Sequence, residues 1–225
     1  TPFFALSNGK LIDRRDDPKT KRTTFHYRQD QPHVFYLISL VIGRFNEVAD
    51  RWRDIDVQYF VPLGKGEQAR LTYGRTPEMI EYFSTLLHYD YPYAKYSQVT
   101  VPLFFFGGME NTSATTVTDL SLLTPRACVD QDLEGLISHE LAHQWFGDLV
   151  TCKDWAHTWL NEGFATLFSA IWAEYDLGRD EYDYELYEDM NRGIEGGKKA
   201  PVVDRRYEES GDMFDSRAYP KGAFI

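Results

Sequence analysis

Cysteine is nearly absent from this chain. Cys128 and Cys152 are the only two among 225 residues, and they form no C-x-x-C pair. That count argues against thiolate zinc sites and dithiol redox chemistry, and two cysteines make no disulfide framework. Long apolar runs are missing too. None reaches the roughly 20 residues that a membrane-spanning helix needs. The longest, Val34 to Gly43, is broken by Ser39 and reads as a buried strand. Basic residues are in deficit, 24 Lys and Arg against 35 Asp and Glu, which leaves a net charge of −11. Such a balance argues against a nucleic-acid partner and mildly favours cationic ligands, free amino termini among them. The acidic excess gathers between Glu174 and Glu195, where it reads as a solvated helix face. No internal repeat, low-complexity stretch or secretory leader is visible.

What is present suits a globular fold. Hydrophobic residues make up 43% and charged residues 26%, both ordinary values. The aromatic content of 16% suits a deep groove and a plain core equally. The length allows one large domain, or a domain and a fragment. Up to about residue 53 the pattern is β: Thr23 to Tyr27 and Val34 to Phe45 are β-branched or aromatic, punctuated by turns at Asn8-Gly9 and Asp30 to Pro32. Strand character returns at Ile55 to Val61, before a Gly64-Lys65-Gly66 loop. Thr76-Pro77-Glu78 opens a helix with a capping hydroxyl, a first-turn proline and an acid. Its buried stripe is Met79, Ile80, Phe83, Leu86 and Leu87. Gln98 to Phe106 reads as a strand with Pro102 inside it. Proline donates nothing to a ladder, so an edge position is expected, either open to a substrate peptide or protected against aggregation. Glu181 to Ile194 reads as a helix ended by Gly196-Gly197, and Lys198 to Asp215 as a loop-rich passage.

The chemistry concentrates in His139-Glu140-Leu141-Ala142-His143, with Glu162 further along. Two imidazoles four residues apart on a helix share one side and can reach one metal ion. Glu140 falls between them, placed to act on a water there, and Glu162 offers a third ligand. This is the arrangement of a zinc hydrolase with an open fourth position. The surrounding segment, Asp132 to Phe146, is apolar around much of its circumference and therefore buried. Buried His and Glu need partners, and a metal satisfies them together. The places where a metzincin needs Gly and His hold Phe146 and Leu149, so the third ligand comes from a later helix. Trp159 to Ala165 supplies such a helix, with Leu167, Phe168 and Ile171 continuing its apolar side.

With these residues in view the chain resembles the aminopeptidase N family of gluzincin zinc aminopeptidases, which also includes leukotriene hydrolase. Gly107-Gly108-Met109-Glu110-Asn111 matches the family's G-x-M-E-N signature. The zinc segment Ile137 to Gly147 with Trp159 to Ala165 is the second match, and Tyr219-Pro220-Lys221-Gly222 fits its Y-x-K-G. The resemblance implies an α+β fold: the end of an N-terminal β-domain in 1–53, then a thermolysin-like catalytic domain in 54–225. It implies one Zn²⁺ on His139, His143 and Glu162, Glu140 as general acid and base, and Tyr219 as hydrogen-bond donor to the oxyanion. Gly107, Gly108, Met109, Glu110 and Asn111 would bind substrate, with the Glu110 carboxylate pairing with the free α-ammonium of a peptide. Asn161 and Asn111 would serve as supporting donors. The family's further amine-binding residue is not located here.

The expected function is hydrolysis of the N-terminal peptide bond. The alternatives are a leukotriene-hydrolase-like epoxide hydrolase and a non-catalytic scaffold. Thr1-Pro2-Phe3 opens without an initiator Met, and Lys221 to Ile225 opens an apolar helix that does not finish, so the chain reads as a fragment. A cytoplasmic location is the expectation, with an export signal in a longer N-terminus as the other case.

Overall fold

Strands and helices are both present, in two compact units, Thr1–Leu133 and Glu134–Ile225. A computed structural model describes residues 2–197 and 200–225. Thr1 and the first two residues of the Lys198 to Asp215 passage lie outside that description.

In the first unit, β1 (Phe4–Ser7) pairs antiparallel with a later strand, β4 (Leu40–Gly43), and β2 (Lys10–Asp17) forms a hairpin with β3 (Arg22–Arg28). The β1–β2 turn needs Gly9, which sits at φ 72° with the Arg28 carbonyl where a Cβ would stand. The expected buried strand from Val34 to Gly43 is not formed. A 3₁₀ turn at Phe35–Leu37 precedes β4, and Phe35, Ile38, Leu40 and Ile42 are exposed. The physical reason is the Asn8 side chain. Its amide donates to the Leu37 carbonyl at 2.9 Å and accepts from Ser39 N at 2.7 Å, replacing a ladder with a local bracket. Apolar character alone does not specify a neighbour.

Five strands form the main sheet: β5 (Phe45–Trp52), β6 (Ile55–Pro62), β7 (Lys95–Val101), β8 (Gly108–Met109) and β9 (Ala114–Thr118), in the order β5-β6-β7-β9-β8. The β5–β6 hairpin is antiparallel and turns at Arg53. β6, β7 and β9 run parallel, and β8 is antiparallel at the edge. The β6–β7 crossover carries α1 (Gly66–Tyr73), which starts at the last residue of the expected Gly64-Lys65-Gly66 loop, and α2 (Thr76–Leu87). Met79, Ile80 and Phe83 are buried as the periodicity predicts, whereas Leu86 is exposed. Thr76 does not cap α2. Its hydroxyl donates to the Tyr73 carbonyl at 2.7 Å and accepts from Gln98 at 2.8 Å. The preceding Arg75, at φ −91° and ψ 1°, lacks the extended geometry that a capping residue needs.

Pro102 also differs from expectation. β7 ends at Val101, so the proline terminates the strand rather than lying within it, and β7 is central. Parallel strands covered on both faces read as continuous runs, and Lys95 to Thr100 are all buried. The exposed Leu103, Phe105 and Phe106 belong to the loop beyond. One face of the sheet packs Leu6, Phe60, Val99 and Ala114 together with Phe4, Val41, Phe45 and Val101. Phe4 stacks on Phe60 with centroids 5.0 Å apart. Burial of each large side chain contributes roughly 1.5–3 kcal/mol.

The second unit contains α3 (Glu134–Ala142), α4 (Trp159–Leu177), α5 (Arg179–Gly197) and α6 (Pro220–Phe224). Trp172 Nε1 donates to Glu134 at 2.8 Å, and Ser169 donates to the Gly135 carbonyl at 3.0 Å, fixing the start of α3 against α4. The acidic run is not uniformly solvated. Asp176, Asp180, Asp183 and Glu195 are exposed, but Asp189 is buried. Burial, with Glu185 and Glu188 nearby, raises its carboxyl to about 6 against the opposing pull of Arg192. No helix among the described residues is long and apolar enough to cross a membrane.

Lys95 gives the first unit a pH-dependent stability. Its ammonium is buried, donates to the Ser113 carbonyl at 2.7 Å, and burial lowers its pKa from 10.5 to about 7. Between those values the unfolded chain holds a proton that the folded chain has shed, so stability rises with pH there, by up to about 1.4 kcal/mol per unit. Below the window both states are protonated and the burial penalty is full. Urea denaturation of wild type and Lys95→Met at pH 7 and pH 10 is expected to show the wild type gaining on the variant at the higher pH. A constant difference would contradict this.

Candidate metal centre

His139 occupies the last turn of α3. His143 follows where the helix gives way to a turn, yet its N–H still donates to the His139 carbonyl at 3.2 Å. The imidazoles therefore remain on one side, with centroids 4.7 Å apart and planes at 84°. Their Nε2 atoms lie 3.1 Å apart. Glu162, in the first turn of α4, places Oε2 at 3.1 Å from His143 Nε2 and 3.4 Å from His139 Nε2. His143 and Glu162 are buried and His139 nearly so.

These atoms fit a tetrahedral zinc ion. Ligand bonds of roughly 2.0–2.2 Å hold neighbouring donors roughly 3.4 Å apart, close to the observed triangle. His143 Nδ1 lies 2.9 Å from the Phe146 carbonyl. The proton therefore belongs on Nδ1, and Nε2 presents its lone pair toward the other donors. Burial keeps His139 below its usual pKa, more strongly than Glu162 raises it. For Glu162 burial opposes ionisation, but the two histidines outweigh it and hold the carboxyl below its usual range. Burial thus disfavours the charged form of His139, and Glu162 is held as the carboxylate that a cation site needs. No other group of three or more metal-ligating side chains is found among the described residues.

The turn after α3 holds His143 in place. The Phe146 ring stacks on Phe164 of α4 at 4.7 Å and 10° and meets Phe168 at 5.1 Å, so both aromatics are packing residues. Gly147 follows at φ 130°, and a Cβ on it would stand 3.1 Å from His143 Nδ1. Asn161 accepts from Cys152 N at 3.0 Å, bracing the loop beyond this turn.

Glu140 is buried on α3 between the two histidines. Tyr219, immediately before α6, stacks on His139 with centroids 6.0 Å apart and planes at 19°. The structure thus gathers His139, His143, Glu162 and Tyr219 in the second unit, with Glu140 on the same helix as His139.

Gly107 to Asn111 belong to the first unit. Gly108 and Met109 form the edge strand β8, paired with Val117 and Thr116, and the Gly107 carbonyl accepts from Thr118 N at 3.0 Å. Glu110 and Asn111 are each 7% exposed. Asn111 accepts from Thr116 at 2.9 Å and donates to the Leu37 carbonyl at 3.4 Å. Ser113, at φ 60°, closes the turn into β9. Its carbonyl accepts from Ser97 N and Lys95, and its hydroxyl from Gly9 N at 2.8 Å. Asn8 adds a bond to the Thr112 carbonyl at 2.8 Å. Lys95 has no signal in the sequence, and Asn8 and Phe146 are legible there only as a turn residue and as a departure from the metzincin pattern. Gly147 leaves a trace there, as a glycine just past the second histidine.

The Peptidase family M1 domain model matches residues 71–225. The chain belongs to peptidase family M1. It is 31% identical to Aminopeptidase M1 of Arabidopsis thaliana, over 100% of this chain and 26% of that protein. It is 32% identical to Probable aminopeptidase 2 of Sulfurisphaera tokodaii, over 98% and 29% respectively. Identity to Tricorn protease-interacting factor F2 of Thermoplasma acidophilum is also 32%, over 98% and 27%. The chain thus spans under a third of the length of each of these relatives.

Gly147→Ala is expected to weaken zinc binding about 10- to 100-fold, the range for losing a partner that orients a ligand. Chelator competition measures it. Gly64→Ala, at φ 84° with open space around it, carries similar backbone strain and is expected to leave zinc affinity unchanged.

Proposed function

We propose that the chain carries the catalytic centre of a zinc aminopeptidase that hydrolyses the N-terminal bond of peptides. The observation that carries this reading is the convergence of His139, His143 and Glu162 within 3.4 Å in a buried site, together with family membership. Bound there, Zn²⁺ would polarise the scissile carbonyl and lower the pKa of a water toward neutrality.

The remaining work falls to side chains. Glu140 takes the proton from the attacking water and passes a proton to the departing amine. Tyr219 donates a hydrogen bond to the oxygen that gains charge as the carbonyl carbon becomes tetrahedral. The Glu110 carboxylate pairs with the α-ammonium group, a charge that internal residues of a peptide lack. Gly107 and Gly108 allow close backbone approach. Met109 offers an adaptable apolar wall, and Asn111 braces the segment through its bonds to Leu37 and Thr116. The edge position of β8 leaves this segment as the place where an extended substrate would add a strand.

We also infer a thermolysin-like arrangement for 54–225, preceded by the end of a β-domain in 1–53. The family match over 71–225 and the separate strand pairs β1–β4 and β2–β3 support an N-terminal β part followed by a catalytic part, and the pairing of β5 with β6 in the main sheet favours a boundary before Phe45 rather than at residue 53.

Glu140→Gln is expected to retain zinc and lose turnover by about 10²- to 10⁴-fold, read by metal content beside the hydrolysis rate of aminoacyl anilides. Full activity in that variant would overturn the role. Glu110→Ala is expected to lower kcat/KM for free-amine peptides by at least about tenfold, in line with loss of a buried charge partner. N-acetylated peptides should resist the wild-type protein, and cleavage of them at the rate of free peptides would end the exopeptidase reading.

A further inference from the structure

Three glycines in the second unit sit inside helices without a conformational reason. Gly163 of α4, Gly193 of α5 and Gly222 of α6 all have backbone angles that alanine adopts readily. Glycine disfavours a helix interior relative to alanine, so the reason lies in space. A Cβ on Gly163 would come within 2.5 Å of the Gly222 carbonyl carbon and 2.8 Å of its Cα. One on Gly222 would stand 3.1 Å from both Gly163 Cα and Trp159 Cβ. One on Gly193 would stand 3.0 Å from Lys221 Cα and 3.1 Å from Lys221 N. The short helix α6 thus meets two neighbours backbone to backbone.

Its location makes this consequential. Tyr219 flanks α6 and is tied to it, because Ala223 N donates to the Tyr219 carbonyl at 2.9 Å. Gly163 directly follows Glu162, so α6 is registered against the helical turn that carries the third metal ligand. The Tyr219 ring meets His139 at 6.0 Å. Resting on the proposed role of Tyr219, we propose that Gly163, Gly193 and Gly222 are positioning residues that set the distance from the Tyr219 phenol to the metal centre. An oxyanion donor works within a few tenths of an ångström. Rigid backbone contacts hold that tolerance better than flexible side chains.

The test uses Gly193→Ala and Gly222→Ala, leaving Gly163 intact because it adjoins a ligand. Each is made alone and with Tyr219→Phe in the zinc-loaded protein. Tyr219→Phe is expected to lower kcat about 10²- to 10³-fold. Each alanine is expected to lower kcat about tenfold, a partial form of that loss, with zinc content and KM unchanged and no further loss in the Tyr219→Phe background. Crystal structures of the alanine variants should show the Tyr219–His139 ring separation changed with zinc in place. Gly193→Ala is the sharper arm, since helix propensity alone predicts that it is neutral or stabilising. Wild-type kcat in both alanine variants, an equal loss with and without the phenol, loss of zinc, or an unmoved Tyr219 ring would each overturn the proposal. Full activity in Tyr219→Phe would instead remove the role given to the phenol, and the ring separation would still decide whether the glycines position it.

Discussion

Everything in the second unit is arranged around a local electrostatic problem. Two imidazole nitrogens and a carboxylate oxygen face one another within 3.4 Å in a largely buried site. With Nδ1–H of His143 donating to the Phe146 carbonyl, the three facing atoms need a shared proton or a cation among them. Burial sharpens that need, because the low local dielectric weakens neither charge nor dipole. Packing of α3 on α4, anchored by Trp172 and Ser169, supplies the energy that holds the donors in place before any ion arrives. A divalent cation would satisfy all three donors at once.

The first unit addresses a different difficulty, the definition of a short irregular segment at a sheet edge. Residues 107–113 contain only two in a strand, and their shape comes from polar brackets. Asn8 and Gly9 hold the Thr112–Ser113 turn from the N-terminal strands, and Lys95 and Ser97 hold it from β7. A lysine fully removed from water is a costly bracket. Its ammonium shares the Ser113 carbonyl with the Ser97 N–H, and burial lowers its pKa.

The His139, His143 and Glu162 cluster is legible in the sequence as a candidate metal site because helical spacing and donor chemistry are both local properties. A four-residue interval fixes His139 and His143 on one side whatever surrounds them, and the apolar flanks announce burial. Misreadings arose where the answer lay in a distant partner. Val34 to Gly43 looked like a core strand, but Asn8, far earlier in the chain, decides its path. Pro102 was placed inside a strand that stops one residue before it, and the burial of β7 depends on β6 and β9 lying on either side. Asp189 is the buried member of an acidic run whose other members are exposed or partly exposed, and only helix packing picks it out. Glycines at 147, 163, 193 and 222 carry no side-chain signal, since their meaning lies in how closely other atoms approach the place of a Cβ.

All three ligand side chains and the stacked tyrosine come from residues 134–225, whereas the G-G-M-E-N segment and its brackets come from residues 1–133. Lesions in the two stretches should therefore segregate. Under the roles proposed above, damage among the brackets would blunt substrate discrimination and spare metal binding, and damage to the glycine seats or the His143 turn would silence the centre with recognition intact. Inherited or engineered variants of this chain will sort into two phenotypes along that boundary.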